Sequence, residues 1–325
     1  MIYFNCDYLE GGHPKILEKM LSTNMEQLTG YSTDHYCDSA RERIRQACGC
    51  PDADVHFLVG GTQTNLTAIA SILRPYQGVL AAHDGHIACH ETGAIEATGH
   101  KVLPIPCVDG KITADQVREF CHSHQTNTMR EHMVQPGMVY ISFPTEIGSL
   151  YTKKELKELS AACHENGIPL YIDGARMGYG LTSPDADVTL QDIASLCDMF
   201  YIGGTKCGAV MGEALVITNP ALKEGFRYTI KQHGGLLAKG RYLGIQFDVL
   251  FEDDLYFTIC KKAVEQSMAT ISNIENVSSV SSENISMVIL EFSQSANMDA
   301  VTIEMRENLD QIEGYWDDSI GSPII

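Results

Sequence analysis

The stretch DMFYIGGTKCGAVMGEALVI (198–217) holds one lysine, Lys206, between two apolar runs and beside Gly203, Gly204 and Gly208. An ammonium group normally stays in water, because burying it unpaired costs several kcal/mol or strips its proton. Lys206 is therefore either a solvated loop residue or an amine kept for nucleophilic chemistry. A second group is Asp173, which ends the apolar run IPLYID and is followed by Gly174 and Arg176. A third is Gly60-Gly61-Thr62-Gln63, where glycines allow close backbone approach and the N–H groups of Thr62 and Gln63 start a helix, as an anion requires. A fourth is the histidine-rich HDGHIACH, with His83, His86 and His90. An imidazole there can cover a planar ring or carry a proton. His-x2-His-x3-His also has the look of a metal site, but no acid or thiolate is placed by sequence to complete one, and no metal is expected.

These groups need a frame that brings them together. Seven short apolar runs, near 55–61, 78–82, 100–105, 137–142, 168–173, 199–204 and 213–218, alternate with helical patterns. In TKKELKELSAACHENG, Thr152 and Glu155 have capping-box spacing, Leu156, Leu159 and Cys163 share a face, and Gly167 stops the helix. LVGGTQTNLTAIASIL reads as strand, turn and helix, with Leu66, Ile69, Ala70 and Leu73 on the buried side. A further helix is expected over SARERIRQAC. Strand–helix–strand repeats predict an α/β fold with a mostly parallel central sheet. Ligands on such sheets bind beyond the carboxyl ends of the strands. Asp173 and Lys206, 33 positions apart, can both stand there. A lysine for a Schiff base, an acid to keep a pyridine nitrogen protonated and an anion cradle together suit pyridoxal phosphate.

Composition is that of an ordinary globular protein, with 44% hydrophobic and 20% charged residues. The formal charge of −19 argues against nucleic acid or an anionic membrane as partner. The opening residues lack a secretory pattern and no apolar run reaches the roughly 20 residues of a spanning helix, so a cytoplasmic location is expected. The 11 cysteines are scattered and odd in number, which suits reduced thiols.

In order along the chain, GGTQTNL, HDGHIACHETGAIEATGHK, YIDGAR and GGTKCGAVMGEA resemble the low-specificity threonine aldolase and β-eliminating lyase family over about residues 4–255. The resemblance implies fold type I, the aspartate-aminotransferase fold: an N-terminal arm and large cofactor domain over 1–250, and a small, shortened or divergent α+β domain over 251–325. It implies cleavage of L-threonine or L-allo-threonine into glycine and acetaldehyde. Another β-eliminating lyase, an aminotransferase or a catalytically impaired relative would keep the same lysine–aspartate core. Residue by residue, Lys206 would carry the cofactor, Asp173 would meet the pyridine nitrogen, and His86, five residues before Glu91, would stack on the ring. Gly61 and Thr62 would hold the phosphate, and Arg176 would lie near the phenolic oxygen and the substrate carboxylate. Members are homodimers or dimer-built tetramers, and Tyr31 would reach the neighbouring subunit's site.

Three positions depart from the family pattern. Cys6-Asp7 stands for Ser-Asp at the substrate carboxylate. Lys231 stands for an arginine and would meet a phosphate as a point charge. The family's carboxylate-gripping arginine falls late in the small domain, where the only arginine beyond Arg241 is Arg306.

Overall fold

The computed structural model describes residues 6–269, 274–282 and 285–292. Its centre is one seven-stranded sheet: β1 (Asp54–Leu58), β2 (Gln77–Ala82), β3 (Lys101–Ile105), β4 (Gln135–Ser142), β5 (Leu170–Asp173), β6 (Met199–Gly203) and β7 (Glu213–Ile217), in the order β1-β7-β6-β5-β4-β2-β3. β3, β2, β4, β5 and β6 are parallel neighbours, and β7 pairs antiparallel with both β6 and β1. All seven expected runs are strands. They read as almost unbroken apolar segments because helices cover both faces, so side chains of either parity are buried.

The helix Lys153–Glu165 has the predicted capping box: Thr152 Oγ accepts from the N–H of Glu155, and the Glu155 carboxylate accepts from the N–H of Thr152. Leu156, Leu159 and Cys163 are buried on its inner face, each leucine contributing about 1.5–3 kcal/mol relative to exposure. The helix expected at SARERIRQAC runs from His35 to Cys48, starting earlier because the Asp34 side chain caps it by accepting from Cys37 N–H.

Helix Gly61–Ile72 differs from its predicted face. Leu66 and Ala70 are only half-buried, while Thr64, Asn65, Thr67 and Ala68 are buried with Ile69 and Leu73. Polar residues take the inner side because Asn65 finds hydrogen-bond partners there, which removes the usual penalty for burying an amide.

One compact unit runs through Ala263 and a second starts at Val264. In the second, β8 (Ile274–Ser282) and β9 (Ile285–Phe292) pair antiparallel, and β9 falls on the expected strand SENISMVILEFS. Arg306 and the helix expected over 299–312 lie outside the described residues. Among the described residues, no helix is long and apolar enough to cross a membrane. All 11 cysteines are free thiols.

Candidate active site

The carboxyl ends of β1, β4, β5 and β6 open onto a cleft of about 350 Å3, lined by Gly60, Gly61, Thr62, His86, Asp173, Arg176 and Lys206 among others. At its floor, β5 ends in Asp173, which is 4% exposed and receives four hydrogen bonds. Oδ1 accepts from Tyr201 hydroxyl at 2.5 Å and from Ala175 N–H at 3.0 Å. Oδ2 accepts from Tyr140 hydroxyl at 2.7 Å and from the Asn65 amide at 2.9 Å. Burial pushes the Tyr140, Tyr171 and Tyr201 phenols well above their ordinary range, so all three remain protonated donors. Tyr171 in turn donates to Asn65 Oδ1 at 2.9 Å, fixing which way the amide faces.

Asn65 also donates to Glu91 Oε1 at 2.7 Å, and the same oxygen accepts from His86 Nδ1 at 2.8 Å. A carboxylate can only accept, so Nδ1 carries the hydrogen and Nε2 is the ring nitrogen free to titrate. His86, Glu91, Asn65 and Asp173 thus form one connected chain of polar groups across the cleft. Behind His86, Glu146 accepts from His86 N–H at 2.7 Å and from Ser142 hydroxyl at 2.6 Å. Burial raises the Glu146 carboxyl above its usual range.

The Glu91 hydrogen bond raises the His86 pKa above its ordinary 6.5, against burial, with the Asp173 and Glu91 charges adding to the rise. A group with a raised folded-state pKa contributes stability below its unfolded pKa and loses it as pH climbs through the folded value. The stability gap between the protein and a His86→Gln variant is therefore expected to be widest below about pH 6 and to narrow above 6.5. Denaturant melts across that range check it. A gap that stays flat with pH would uncouple His86 from Glu91.

Lys206 lies in the turn between β6 and β7. Gly204 N–H and Thr205 N–H both donate to Gly212 O, and Gly212 has φ +110°, a backbone that disfavours any side chain. Gly203 has no room for one either: a Cβ would stand 2.2 Å from Ala175 O. Tyr179 hydroxyl donates to Lys206 O at 2.5 Å, anchoring the residue from below. The lysine is half-buried, and among the described residues its ammonium makes no ion pair, although its charge helps hold the Asp7 carboxyl down. Glu213 lines the same cleft, accepting from Gly204 N–H and Thr205 hydroxyl at 2.9 Å each, and burial pushes its carboxyl up to about 8.

At β1, Gly60 leads into the helix Gly61–Ile72, whose N-terminus has no side-chain cap. The Gln63 side chain turns away to accept from Val59 N–H, leaving the first-turn amides directed at the cleft. Across from them, Arg176 holds the Asp7 carboxylate in a two-pronged contact of 2.5 and 3.0 Å. Burial opposes it, but the Arg176 hydrogen bonds and charge keep the Asp7 carboxyl below its usual range.

Of the ten residues to which the resemblance gives a site role, seven are thus brought together: six line the cleft, and Asp7 joins them through Arg176. Cys6 is half-buried one residue away from Asp7. Tyr31 and Lys231 sit elsewhere, in a surface depression with Arg227 and Tyr228, where the Lys231 ammonium lies 4.8 Å from the Tyr31 ring centre. The sequence reading missed Asn65, Tyr140, Tyr171, Tyr201, Glu146 and Glu213. One signal was available: three neighbouring buried strands each carry a tyrosine, and each hydroxyl needs a partner. Tyr171 and Asp173 also share a face by strand period, two residues apart.

The chain matches the beta-eliminating lyase family over residues 4–308. It is 31% identical to a low specificity L-threonine aldolase of a Pseudomonas species over 84% of this chain and 80% of that one. Among solved structures it is similar to Leishmania major threonine aldolase, at 43% identity and a TM-score of 0.81, covering 93% of this chain and 98% of that chain. An aspartate aminotransferase of Thermus thermophilus, 14% identical with a TM-score of 0.61 over 79% of this chain and 66% of that one, shares the fold.

Proposed function

The chain belongs to the beta-eliminating lyase family, and from that membership and the cleft we infer that it is a pyridoxal-phosphate-dependent threonine aldolase of fold type I. It splits L-threonine or L-allo-threonine between Cα and Cβ into glycine and acetaldehyde. The observation that carries this is the convergence of a lysine amine, without an ion pair among the described residues, and a buried carboxylate in one cleft beside an uncapped helix start.

The donor set fits the cofactor. Lys206 offers the amine for covalent attachment. Asp173 offers a buried carboxylate as the counter-charge for a protonated ring nitrogen. Gly61 and Thr62 offer free amides at the positive end of a helix dipole for a phosphate. A Cβ at Gly60 would meet nothing within 4 Å, so there is open space at the cradle. The bound cofactor supplies a sink for the electron pair left when Cα–Cβ breaks.

The other residues act on the substrate. His86, held by Glu91 and lying over the cleft, would cover the ring and take the proton from the β-hydroxyl through Nε2. Arg176, held to Asp7 through Nε and Nη2, would turn its remaining N–H groups to the substrate's α-carboxylate, with Cys6 and Asp7 beside it. Orientation at this clamp decides which bond to Cα is broken. Tyr31 and Lys231, placed away from the chain's own cleft, would serve the cleft of a neighbouring subunit in a homodimer or homotetramer, Lys231 toward its phosphate. A cytoplasmic setting suits a chain whose thiols are all free.

An aldehyde-release assay with L-threonine and L-allo-threonine side by side tests the activity. Acetaldehyde and glycine are expected in equal amounts from the holoenzyme. Release of ammonia with a keto acid instead would make it an eliminating lyase of the same core.

A further inference from the structure

Outside the cleft, three different metal-ligand types meet at the carboxyl ends of two adjacent strands. His83 follows β2 and Cys107 follows β3, and the ladder between these strands extends one step through His83 N–H to Ile105 O at 2.9 Å. The Cys107 Sγ lies 3.3 Å from His83 Nδ1 and 3.0 Å from Asp84 Oδ1, and all three ligand atoms fall within 4.8 Å of one another. We propose that His83, Asp84 and Cys107 form a zinc site, with solvent as the fourth ligand.

Geometry and charge both favour this. Zinc–sulfur and zinc–nitrogen or zinc–oxygen bonds of about 2.3 and 2.0–2.2 Å at tetrahedral angles put sulfur roughly 3.5 Å from its co-ligands. The two sulfur edges are a few tenths of an ångström tighter, and the remaining pair lies within 4.8 Å, so side-chain shifts suffice to admit a cation. One thiolate, one carboxylate and one neutral imidazole together cancel the charge of a divalent ion. A thiolate with an imidazole selects zinc over magnesium or calcium, which prefer oxygen ligands.

The backbone under the site is already fixed. Val108 and Lys111 exchange hydrogen bonds right after Cys107, and His83 is tied to β3. Cys89 belongs outside the ligand set, because its thiol donates to the His83 carbonyl oxygen at 3.1 Å. His86 lies two residues past Asp84, so a bound zinc would brace the segment that carries the ring-facing imidazole. This departs from the sequence expectation of no metal: His86 is committed to Glu91, and the acid and thiolate that the histidine spacing did not place come from Asp84 and from the next strand.

The test is zinc binding by the holoenzyme, dialysed against metal-free buffer and titrated with zinc alone, then measured by elemental analysis and zinc-edge X-ray absorption. One zinc per chain with one sulfur neighbour near 2.3 Å is expected. Cys107→Ser should lose that sulfur neighbour and bind at least about 10–100-fold more weakly, the loss found for even an outer-shell partner. His83→Ala should weaken binding similarly, and Cys89→Ser should leave it unchanged. No zinc retained by the unaltered protein, or zinc held as tightly and with the same sulfur neighbour in Cys107→Ser, would overturn the site.

Discussion

Lys206→Ala should lose aldehyde release by on the order of 10⁴-fold or more, the scale on which enzymes fall when a covalent nucleophile is removed. It should also lose the visible absorption of a lysine-bound cofactor while keeping its fold. The second expectation follows from the turn itself. The stretch between β6 and β7 is held by main-chain bonds from Gly204 and Thr205 to Gly212, and by Tyr179 on the Lys206 carbonyl, none of which needs the lysine side chain. Because the ammonium has no ion-pair partner among the described residues and Asp7 keeps Arg176, its removal strands no buried charge, and stability should move by no more than about 0.5 kcal/mol. Turnover, the absorption spectrum and a thermal melt measured together separate the outcomes. Turnover at the native rate would end the assignment. A collapsed melt would show that Lys206 supports the turn and leave the kinetic loss uninterpretable on its own, in which case Lys206→Arg, which keeps charge and bulk but not a free amine, decides.

The framework was readable because a doubly covered parallel sheet makes each strand an apolar run bounded by turns. Thr152, Glu155 and Gly167 marked one helix through local chemistry alone, and Asp173 and Lys206 stood out as charges at the ends of such runs. What stayed hidden depends on contacts distant in sequence. Asn65 looked like one polar residue of an amphipathic helix, yet it bridges Glu91 and Asp173, 26 and 108 positions away. Periodicity misjudged that helix for the same reason, since a satisfied amide can occupy a buried place that a hydropathy pattern gives to leucine. Glu146 and Glu213 resembled ordinary turn and strand-end acids until the fold set them into the cleft. Cys107 carried no signal at all, because its partners His83 and Asp84 are brought to it by strand pairing.

Asp173→Asn is expected to lower aldolase turnover at least on the order of 10²–10³-fold, the loss seen when one preorganised electrostatic contact to the reacting system is removed. It should also destabilise the fold, and the hydrogen bonds show why. Four donors converge on the carboxylate, two on each oxygen. An asparagine keeps one acceptor oxygen and turns the other side into a donor. If its amide faces Tyr201, that hydroxyl can rotate to accept, but Ala175 N–H is stranded. If it faces Tyr140, that hydroxyl can likewise rotate, but the Asn65 amide is stranded, and flipping Asn65 would break its bonds with Glu91 and Tyr171. Either orientation orphans one buried donor, at a cost of about 1–3 kcal/mol. Tyr201→Phe separates the two effects, since it deletes one donor while leaving the carboxylate charged. That variant should lose stability and keep most of its turnover, whereas Asp173→Asn should lose both. Equal and modest kinetic losses in the two variants would make Asp173 a structural hub of the cleft floor, with the ring nitrogen protonated by some other group.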